Sequence, residues 1–306
     1  MMRHATFRQL EIFEAIARHG SFTRAAEVLH LTQPTVSMQI RKLSGTVGTP
    51  LFEQIGKRIV LTDAGRDLAL AAREIFGVLD RFEMMVAERQ GLRRGRLRLV
   101  AITTASYFAP RLLGDFGRRH PGIEVSLRVA NREQVIASIT ENLDDLYILG
   151  QPPDELDLAS TAFMENPLVA IAAPDHPLAG ESGVPLVRLA AEPWLMREPG
   201  SGTRQAIERL FARHALTPSP RLELGSNEAI KQAVLAGLGV SALSRQALAL
   251  HPPGQFAILD AEHFPILRHW YVAHPTQREP SPAARAFMDF LLSGRTAAPE
   301  AIDPTS

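Results

Sequence analysis

Cysteine is absent from the 306 residues. The chain therefore has no disulfide framework, no thiol nucleophile and no cysteine-ligated zinc site, and we expect it in the cytoplasm. No apolar run approaches the ~18 residues of a membrane span, and we expect no signal peptide before the polar helix pattern that starts near residue 8. The length and the 45% share of hydrophobic residues predict about two globular domains.

The whole chain has no excess of positive or negative charge, but its two parts each have one. The 33 Lys and Arg residues balance 33 Asp and Glu residues. Residues 1–96 carry 15 basic and 10 acidic residues, a net charge of +5, which leaves 18 and 23, a net charge of −5, for residues 97–306. This asymmetry indicates that the N-terminal third meets a polyanion and that the remainder does not.

The basic N-terminal third has the pattern of a helix-turn-helix. Apolar residues recur at helical spacing over residues 8–19, and Ser21 and Thr32 are suitable N-caps for a second and a third short helix. The outer face of the third helix is polar, which suits the major groove of DNA. Residues 50–61 then predict two short strands around the basic turn at 56–58, a wing.

These features predict double-stranded DNA as a partner. The Gln33 amide suits base edges, Ser37 is short enough for close approach, and Arg41 suits a phosphate. The predicted DNA-binding residues are Ser21, Thr23, Thr32, Gln33, Pro34, Thr35, Ser37, Met38, Arg41, Lys57 and Arg58. The alternative is a three-helix packing module with polar outer faces, against which the basic wing argues.

Residues 62–91 predict one long helix with a narrow apolar seam. The seam residues follow one another at spacings of four and three, and they are Leu68, Ala72, Ile75, Leu79, Phe82 and Val86. This spacing is typical of a coiled coil, so we expect the helix to join two chains whose heads read two half-sites. The alternative is a helix packed on its own chain. Gly91 and the arginines at 93–96 predict a hinge after it.

Strands and helices alternate from residue 95 onwards. The strands are predicted near residues 97–102, 123–129, 146–149, 168–172, 194–197, 221–225, 239–243 and 268–273. The helices are predicted near residues 107–120, 133–142, 202–214, 227–237 and 281–292. The first three strands predict a parallel sheet, and the remaining length predicts a second α/β lobe with a ligand cleft between the two.

Polar turns at the predicted strand ends indicate what this cleft binds. In the stretch 196–204 a strand ends, a glycine-rich turn follows and a helix begins, so free N–H groups, two hydroxyls and one guanidinium could hold an anion. Any one such turn would be an ordinary N-cap, but several converging on one cleft predict an anionic small molecule. The predicted effector-binding residues are Thr103, Thr104, Ser106, Asn131, Gly200, Ser201, Thr203, Arg204 and Asn227.

The sequence contains no residue pattern typical of a catalytic site, so we expect that the protein is not an enzyme. Asp144 and Asp145 are adjacent and would point apart, and His269 and His274 stand at an odd spacing on a predicted strand. Ser201 lies in Gly200-Ser201-Gly202, which is not the G-x-S-x-G spacing of a nucleophile elbow. A transport binding protein would share the two lobes but not the DNA-binding head.

The N-terminal residues resemble the DNA-binding end of LysR-type transcriptional regulators. The motifs that carry this resemblance are Ser21-Phe22-Thr23-Arg24-Ala25-Ala26, Thr32-Gln33-Pro34-Thr35-Val36-Ser37 and Leu61-Thr62-Asp63-Ala64-Gly65. The resemblance reaches to about residue 293 and implies a homodimer or homotetramer. It implies a fold class of α/β with an all-α winged helix-turn-helix head and a two-lobed effector domain similar to periplasmic binding proteins.

The resemblance also implies domain boundaries. The expected segments are the head at 1–61, the linker helix at 62–91, a first lobe at 95–165 with 269–294, a second lobe at 166–268 and a disordered tail at 295–306. Within the family the chain is most similar to the carbon-fixation regulators that activate RuBisCO operons. The stretches that carry this similarity are 107–113, 131–133, 166–169, 174–178, 197–204 and 225–233.

That narrower similarity implies an effector from carbon metabolism, typically a phosphorylated metabolite such as ribulose bisphosphate, or NADPH. It implies no other cofactor, promoter DNA as a partner, RNA polymerase as a candidate partner and no membrane. The alternative is a LysR-type regulator of another pathway with a non-phosphorylated carboxylate effector. Three residues depart from the family pattern: Ser106 stands where we expect lysine, Ala130 where we expect glycine, and Met38 where we expect a basic residue.

Overall fold

The computed structural model describes residues 5–56, 58–89 and 94–293. The chain divides into two compact units, Met1–Val86 with Glu141–Leu143, and Ala87–Thr140 with Asp144–Ser306. Within the described ranges no helix is long and apolar enough to cross a membrane. Three predictions lie outside them, namely Lys57 at the wing tip, the start of the hinge at 91–93, and the tail at 295–306.

The N-terminal unit is a three-helix head with a hairpin and a long helix. Its elements are α1 Phe7–His19, α2 Phe22–Val28, α3 Gln33–Val47, β1 Phe52–Ile55, β2 Arg58–Leu61 and α4 Asp63–Arg89. The predicted N-caps hold the short helices, since Ser21 accepts from the Arg24 amide and Thr32 from the Thr35 amide. The side chains of Phe13, Ile16, Val36, Leu43 and Leu51 form its fully buried centre.

The start of α4 lies unusually close to the backbone that enters β1. A Cβ atom built on Gly65 would lie 2.1 Å from the carbonyl oxygen of Leu51. The Thr62 hydroxyl donates to the Pro50 carbonyl at 2.8 Å and accepts from the Gly65 amide at 3.0 Å. Glycine at this position therefore lets the first turn of α4 pack directly on the hairpin.

The apolar seam of α4 divides into two parts. Leu68 and Ala72 are buried in the core of the head. Four later seam residues remain exposed, with relative exposures between 37% and 58%, and they are Ile75, Leu79, Phe82 and Val86. The first part of the seam thus stabilises the head, while the later part presents an apolar face that no described residue of the N-terminal unit buries.

The second unit contains two lobes. Its helices are α5 Ala109–Arg119, α6 Arg132–Thr140, α7 Leu186–Ala191, α8 Gly202–Arg213, α9 Asn227–Leu235, α10 Arg245–Leu248 and α11 Pro282–Ser293. Its strands are β3 Gly95–Ile102, β4 Ile123–Ala130, β5 Leu146–Leu149, β6 Leu158–Glu165, β7 Leu168–Ala172, β8 Pro193–Arg197, β9 Ser219–Leu224, β10 Ser241–Ser244, β11 Ala257–Ile258 and β12 His269–Pro275. A 3-10 helix, Thr103–Tyr107, follows β3 directly.

The first lobe is built on a five-stranded sheet in the order β4-β3-β5-β12-β6. Strand β3 runs parallel to β4 and β5, as the alternation of strands and helices predicts. Strand β12 runs antiparallel to both β5 and β6, so the sheet is mixed. This strand returns from the second lobe and inserts between two strands that come much earlier in the chain.

The second lobe is built on two small sheets. Strand β7 pairs antiparallel with β10 and β11, and β8 pairs parallel with β9. Trp194 is fully buried between them and donates to the Leu189 carbonyl at 2.9 Å. The sequence patterns miss β6 and α7, because β6 is an edge strand without clean alternation and α7 has only 6 residues.

Candidate functional site

Helix α3 presents a polar face whose other side is anchored in the head. Val36, Ile40 and Leu43 are buried, whereas Gln33 and Arg41 are exposed. A hydrogen bond on this face orients the Gln33 side chain, because its amide Nε2 donates to the Ser37 hydroxyl at 3.0 Å. Helix α3 therefore offers an oriented amide at its start and a charged side chain about two turns further along.

The other predicted DNA-binding residues lie around the same helix. Thr32 contacts Thr35, with 2.8 Å between their hydroxyl oxygens. Pro34, Met38 and Thr23 are exposed, and Ser21 caps α2. The hairpin closes at the pair Ile55 and Arg58, so the exposed Arg58 side chain stands at the wing turn.

A cavity opens in the second unit at the carboxyl end of β3. Five of the predicted effector-binding residues line it: Thr103, Thr104, Asn131, Ser201 and Thr203. The space between atoms measures about 550 Å³ with its open mouth, yet the centre of a water molecule fits into only about 30 Å³ of it. A ligand much larger than water therefore enters only when side chains move or the lobes part.

Four predicted effector-binding residues do not line the cavity, contrary to expectation. Arg204 is held away from it by two carboxylates, Glu208 and Glu223, each at 2.7 Å. Gly200 shapes the preceding turn with a φ of +83°, and Ser106 is exposed on the 3-10 helix. Asn227 is buried behind the wall. It donates to the Thr104 hydroxyl at 3.3 Å and accepts from Arg197.

The cavity wall holds buried polar atoms without hydrogen-bond partners. The described residues contain five such atoms, and four of them lie here: Nδ2 and Oδ1 of Asn166, Nε of Arg268 and Nε1 of Trp270. Asn166 is only 1% exposed and Trp270 is fully buried. Because leaving such groups unpaired costs free energy, their concentration here points to a ligand that supplies the missing partners.

Three arginines make the cavity electropositive. Arg268 donates to the Gly202 carbonyl at 3.0 Å, and burial, with a smaller contribution from Arg132, lowers its pKa to about 10. Burial, followed by the charge of Arg209, also lowers the pKa of Arg132. Arg197 completes the set. An anion bound beside Arg268 and Arg132 would offset the desolvation of these two groups and the repulsion between them.

Sequence reasoning missed Arg268, Trp270 and Arg197 as site residues. Trp270 belongs to β12, the strand that returns from the second lobe, and Arg268 immediately precedes that strand. Arg268 contacts Gly202 across 66 residues of chain. No local pattern encodes such a contact. No group of three or more His, Asp or Glu residues that could hold a metal ion occurs in the described ranges.

Two family models match the chain, one for each unit. Residues 7–66 match the model described as bacterial regulatory helix-turn-helix protein, lysR family. Residues 90–295 match the model described as LysR substrate binding domain.

Individual proteins match over nearly the full length. The HTH-type transcriptional activator CmpR of Synechocystis sp. is 50% identical over 293 residues, which cover 95% of this chain and 96% of that one. A RuBisCO operon transcriptional regulator of Acidithiobacillus ferrooxidans is 47% identical, with 95% of each chain covered. The solved regulatory domain of Synechocystis PCC6803 CcmR in complex with 2-PG is 51% identical, with a TM-score of 0.63, and the match covers 65% of this chain and 97% of that one.

Proposed function

Because the chain belongs to the LysR family of transcriptional regulators, we propose that an anionic small molecule in its cavity switches its action at promoter DNA. The observation that carries the ligand is the set of four unpartnered polar atoms beside three arginines. The genes it controls are those of carbon fixation, as the names of its relatives indicate. The ligand acts by binding one arrangement of the lobes more tightly than the other.

The chemistry of the wall favours a compact ligand with several anionic oxygens. Arg268 Nε and Trp270 Nε1 are donors, and Arg132 adds positive charge. The Asn166 amide offers a donor and an acceptor, whichever way it is turned. A phosphorylated metabolite supplies such oxygens, and 2-PG is the first candidate because the CcmR regulatory domain holds it. Ribulose bisphosphate and NADPH are the next candidates.

Calorimetric titration of the full chain with 2-PG, ribulose bisphosphate and NADPH tests this assignment. We expect saturable binding of at least one of them, with one site per chain. A folded protein that shifts its own upstream promoter DNA but binds none of the three would contradict the proposed effector class and leave the DNA-binding function standing.

The Gln33→Ala substitution is expected to weaken discrimination between operator and unrelated DNA by ~1–3 kcal/mol. The Gln33 amide is the group on α3 best oriented for a base edge, because Ser37 steadies it at 3.0 Å. Fluorescence anisotropy with both DNA sequences measures the effect. Arg41→Ala serves as the comparison, since losing a phosphate contact weakens both complexes alike. An unchanged ratio of affinities in Gln33→Ala would remove this residue from base readout.

The Phe82→Glu substitution is expected to reduce the particle mass and to lower operator affinity by about 100-fold. Phe82 is the most exposed residue of the α4 seam, at 58%, and a second copy of the same face would bury it. Light scattering and operator titration measure the two effects. Leu70→Glu is the matched control, because Leu70 is also an exposed apolar residue of α4 but lies off the seam. An unchanged mass in Phe82→Glu would argue against this interface.

A further inference from the structure

The ligand cavity contains a carboxylate of its own. Glu198 lines the cavity together with Arg132, Arg197 and Arg268, and it is the acidic side chain among the described lining residues. An anionic ligand would have to approach this negative charge, which opposes binding. The presence of Glu198 in a cavity wall that is otherwise positively charged therefore needs a physical explanation.

The Glu198 carboxylate is engaged by one arginine at two points. Arg197 Nε donates to Glu198 Oε2 at 2.7 Å, and Arg197 Nη2 donates to Glu198 Oε1 at 2.8 Å. The third nitrogen, Nη1, donates to the Asn227 carbonyl oxygen Oδ1. The Arg197 side chain is only 4% exposed, so its charge is neutralised inside the protein before any ligand arrives.

Arg268, which lines the same cavity, has no such counter-ion among the described residues. The Nε atom of Arg268 has no partner among the described residues, and its pKa is lowered. The wall thus has one arginine that lacks an anion and one that already holds an anion. The Glu198 side chain is 28% exposed, so it can turn toward solvent without losing its hydration.

We propose that Glu198 is an internal counter-ion that competes with the ligand for Arg197 and thereby sets the ligand concentration at which the cavity fills. This inference rests on the proposed function of the cavity. When the ligand arrives, its anionic group takes the place of the Glu198 carboxylate at Arg197, and the carboxylate moves outward. The lost ion pair subtracts from the binding free energy. The limited free space of about 30 Å³ means that some lining group must move when a ligand enters, and Glu198 is a partly exposed side chain of that lining.

The Glu198→Gln variant tests the proposal, because glutamine keeps the length and one acceptor oxygen but removes the charge. We expect its affinity for 2-PG, and for inorganic phosphate, to rise about tenfold, as removal of a unit charge within several Å of an anion predicts. We also expect its affinity to fall more steeply with salt than that of the unmodified protein, since the net positive charge of the cavity is larger.

Two further variants separate competition from a structural role. Glu208→Gln removes a carboxylate that pairs with Arg204 at 2.7 Å outside the cavity, and its 2-PG affinity is expected to stay unchanged. Glu198→Asp keeps the charge, and its affinity is expected to stay within about threefold of the unmodified protein. A purely structural ion pair would instead lower the thermal midpoint in Glu198→Gln without raising affinity.

The outcomes distinguish this inference from the function on which it rests. If the unmodified protein binds 2-PG and Glu198→Gln binds it equally or more weakly, the counter-ion proposal is overturned and the effector site stands. If Glu198→Gln binds 2-PG and the unmodified protein does not, the counter-ion proposal is supported, because the Glu198 charge alone then prevents binding. If neither protein binds 2-PG or inorganic phosphate, the counter-ion proposal is overturned, and the proposed function then depends on the titrations with ribulose bisphosphate and NADPH.

Discussion

The Arg268→Gln substitution is expected to reduce 2-PG affinity by about 30- to 160-fold and, at the same time, to stabilise the ligand-free protein. Arg268 lines the cavity with a buried guanidinium whose Nε has no hydrogen-bond partner among the described residues. Removing a charge-assisted bond to an anion costs ~2–3 kcal/mol of binding free energy. Calorimetry measures the loss, and a variant with unchanged affinity would contradict the placement of the ligand against Arg268.

The stabilisation follows from the sign of the pKa shift. Folding lowers the pKa of Arg268 to about 10, mainly through burial, so the charged form is disfavoured by folding at every pH below about 10. The free-energy cost of burying the charged guanidinium decreases only as the pH rises above about 10, where the folded protein begins to lose this proton. Removal of the charge is expected to gain about 1–3 kcal/mol at neutral pH, after the lost bond to the Gly202 carbonyl is allowed for.

A thermal unfolding scan without ligand checks this second effect, with a rise of roughly 2–4 °C for each kcal/mol. Arg204→Gln is the matched control, because Arg204 is paired with Glu208 and Glu223 outside the cavity. It is expected to keep 2-PG affinity and to show no rise in midpoint. A lower midpoint in Arg268→Gln would mean that its unpaired charge is not a cost of folding.

The Gly65→Ala substitution is expected to destabilise the head by ~3 kcal/mol or more and to abolish DNA binding. The added methyl group would lie 2.1 Å from the Leu51 carbonyl oxygen, which is backbone and cannot turn away. The first turn of α4 would have to leave the hairpin, and the wing would move with it. Thermal unfolding and titration with promoter DNA measure both consequences.

The Gly45→Ala substitution is the control in the same unit, and it is expected to have the opposite effect on the stability of the head. Gly45 lies inside α3, and nothing lies within 4 Å of the position its Cβ would take. Alanine there is expected to stabilise the head by ~0.5–1 kcal/mol, because glycine loses more conformational freedom on folding. If both variants unfold at the same temperature, the close approach at Gly65 does not govern the stability of the head.

The head could be predicted from sequence because its signals are local. The capping contacts of Ser21 and Thr32 each span three residues, and the hairpin strands are adjacent in the chain. The family and the fold class suggested by these motifs are confirmed by the matches to residues 7–66 and 90–295. The prediction of a LysR-type regulator is therefore correct.

The α4 seam shows how one pattern can support two interpretations. A spacing of four and three predicts a buried stripe but not the partner that buries it. Leu68 and Ala72 pack on their own chain, as the alternative interpretation expects, whereas Phe82 and its neighbours remain exposed as a dimer helix requires. The periodicity alone could not place the boundary between these two roles, because it does not change along the helix.

The ligand cavity was the least predictable part of the chain. The hydroxyls of Ser201 and Thr203 were foreseeable because they follow a strand and begin a helix. Arg204 follows the same rule but is drawn away by Glu223, a partner 19 residues later on the neighbouring strand. Arg268 and Asn166 reach the cavity from the crossovers between lobes, and their roles depend on contacts that no short pattern records.

The position of β12 governs the order in which the chain can fold during synthesis. This strand, His269–Pro275, lies between β5 and β6, so the sheet of the first lobe stays incomplete on the ribosome until nearly the whole message has been read. The buried core of the head comes entirely from the first 80 residues. A nonsense mutation between residues 90 and 268 is therefore expected to leave the core of the head and the whole of α4 intact, while the sheet of the first lobe lacks β12 and cannot be completed.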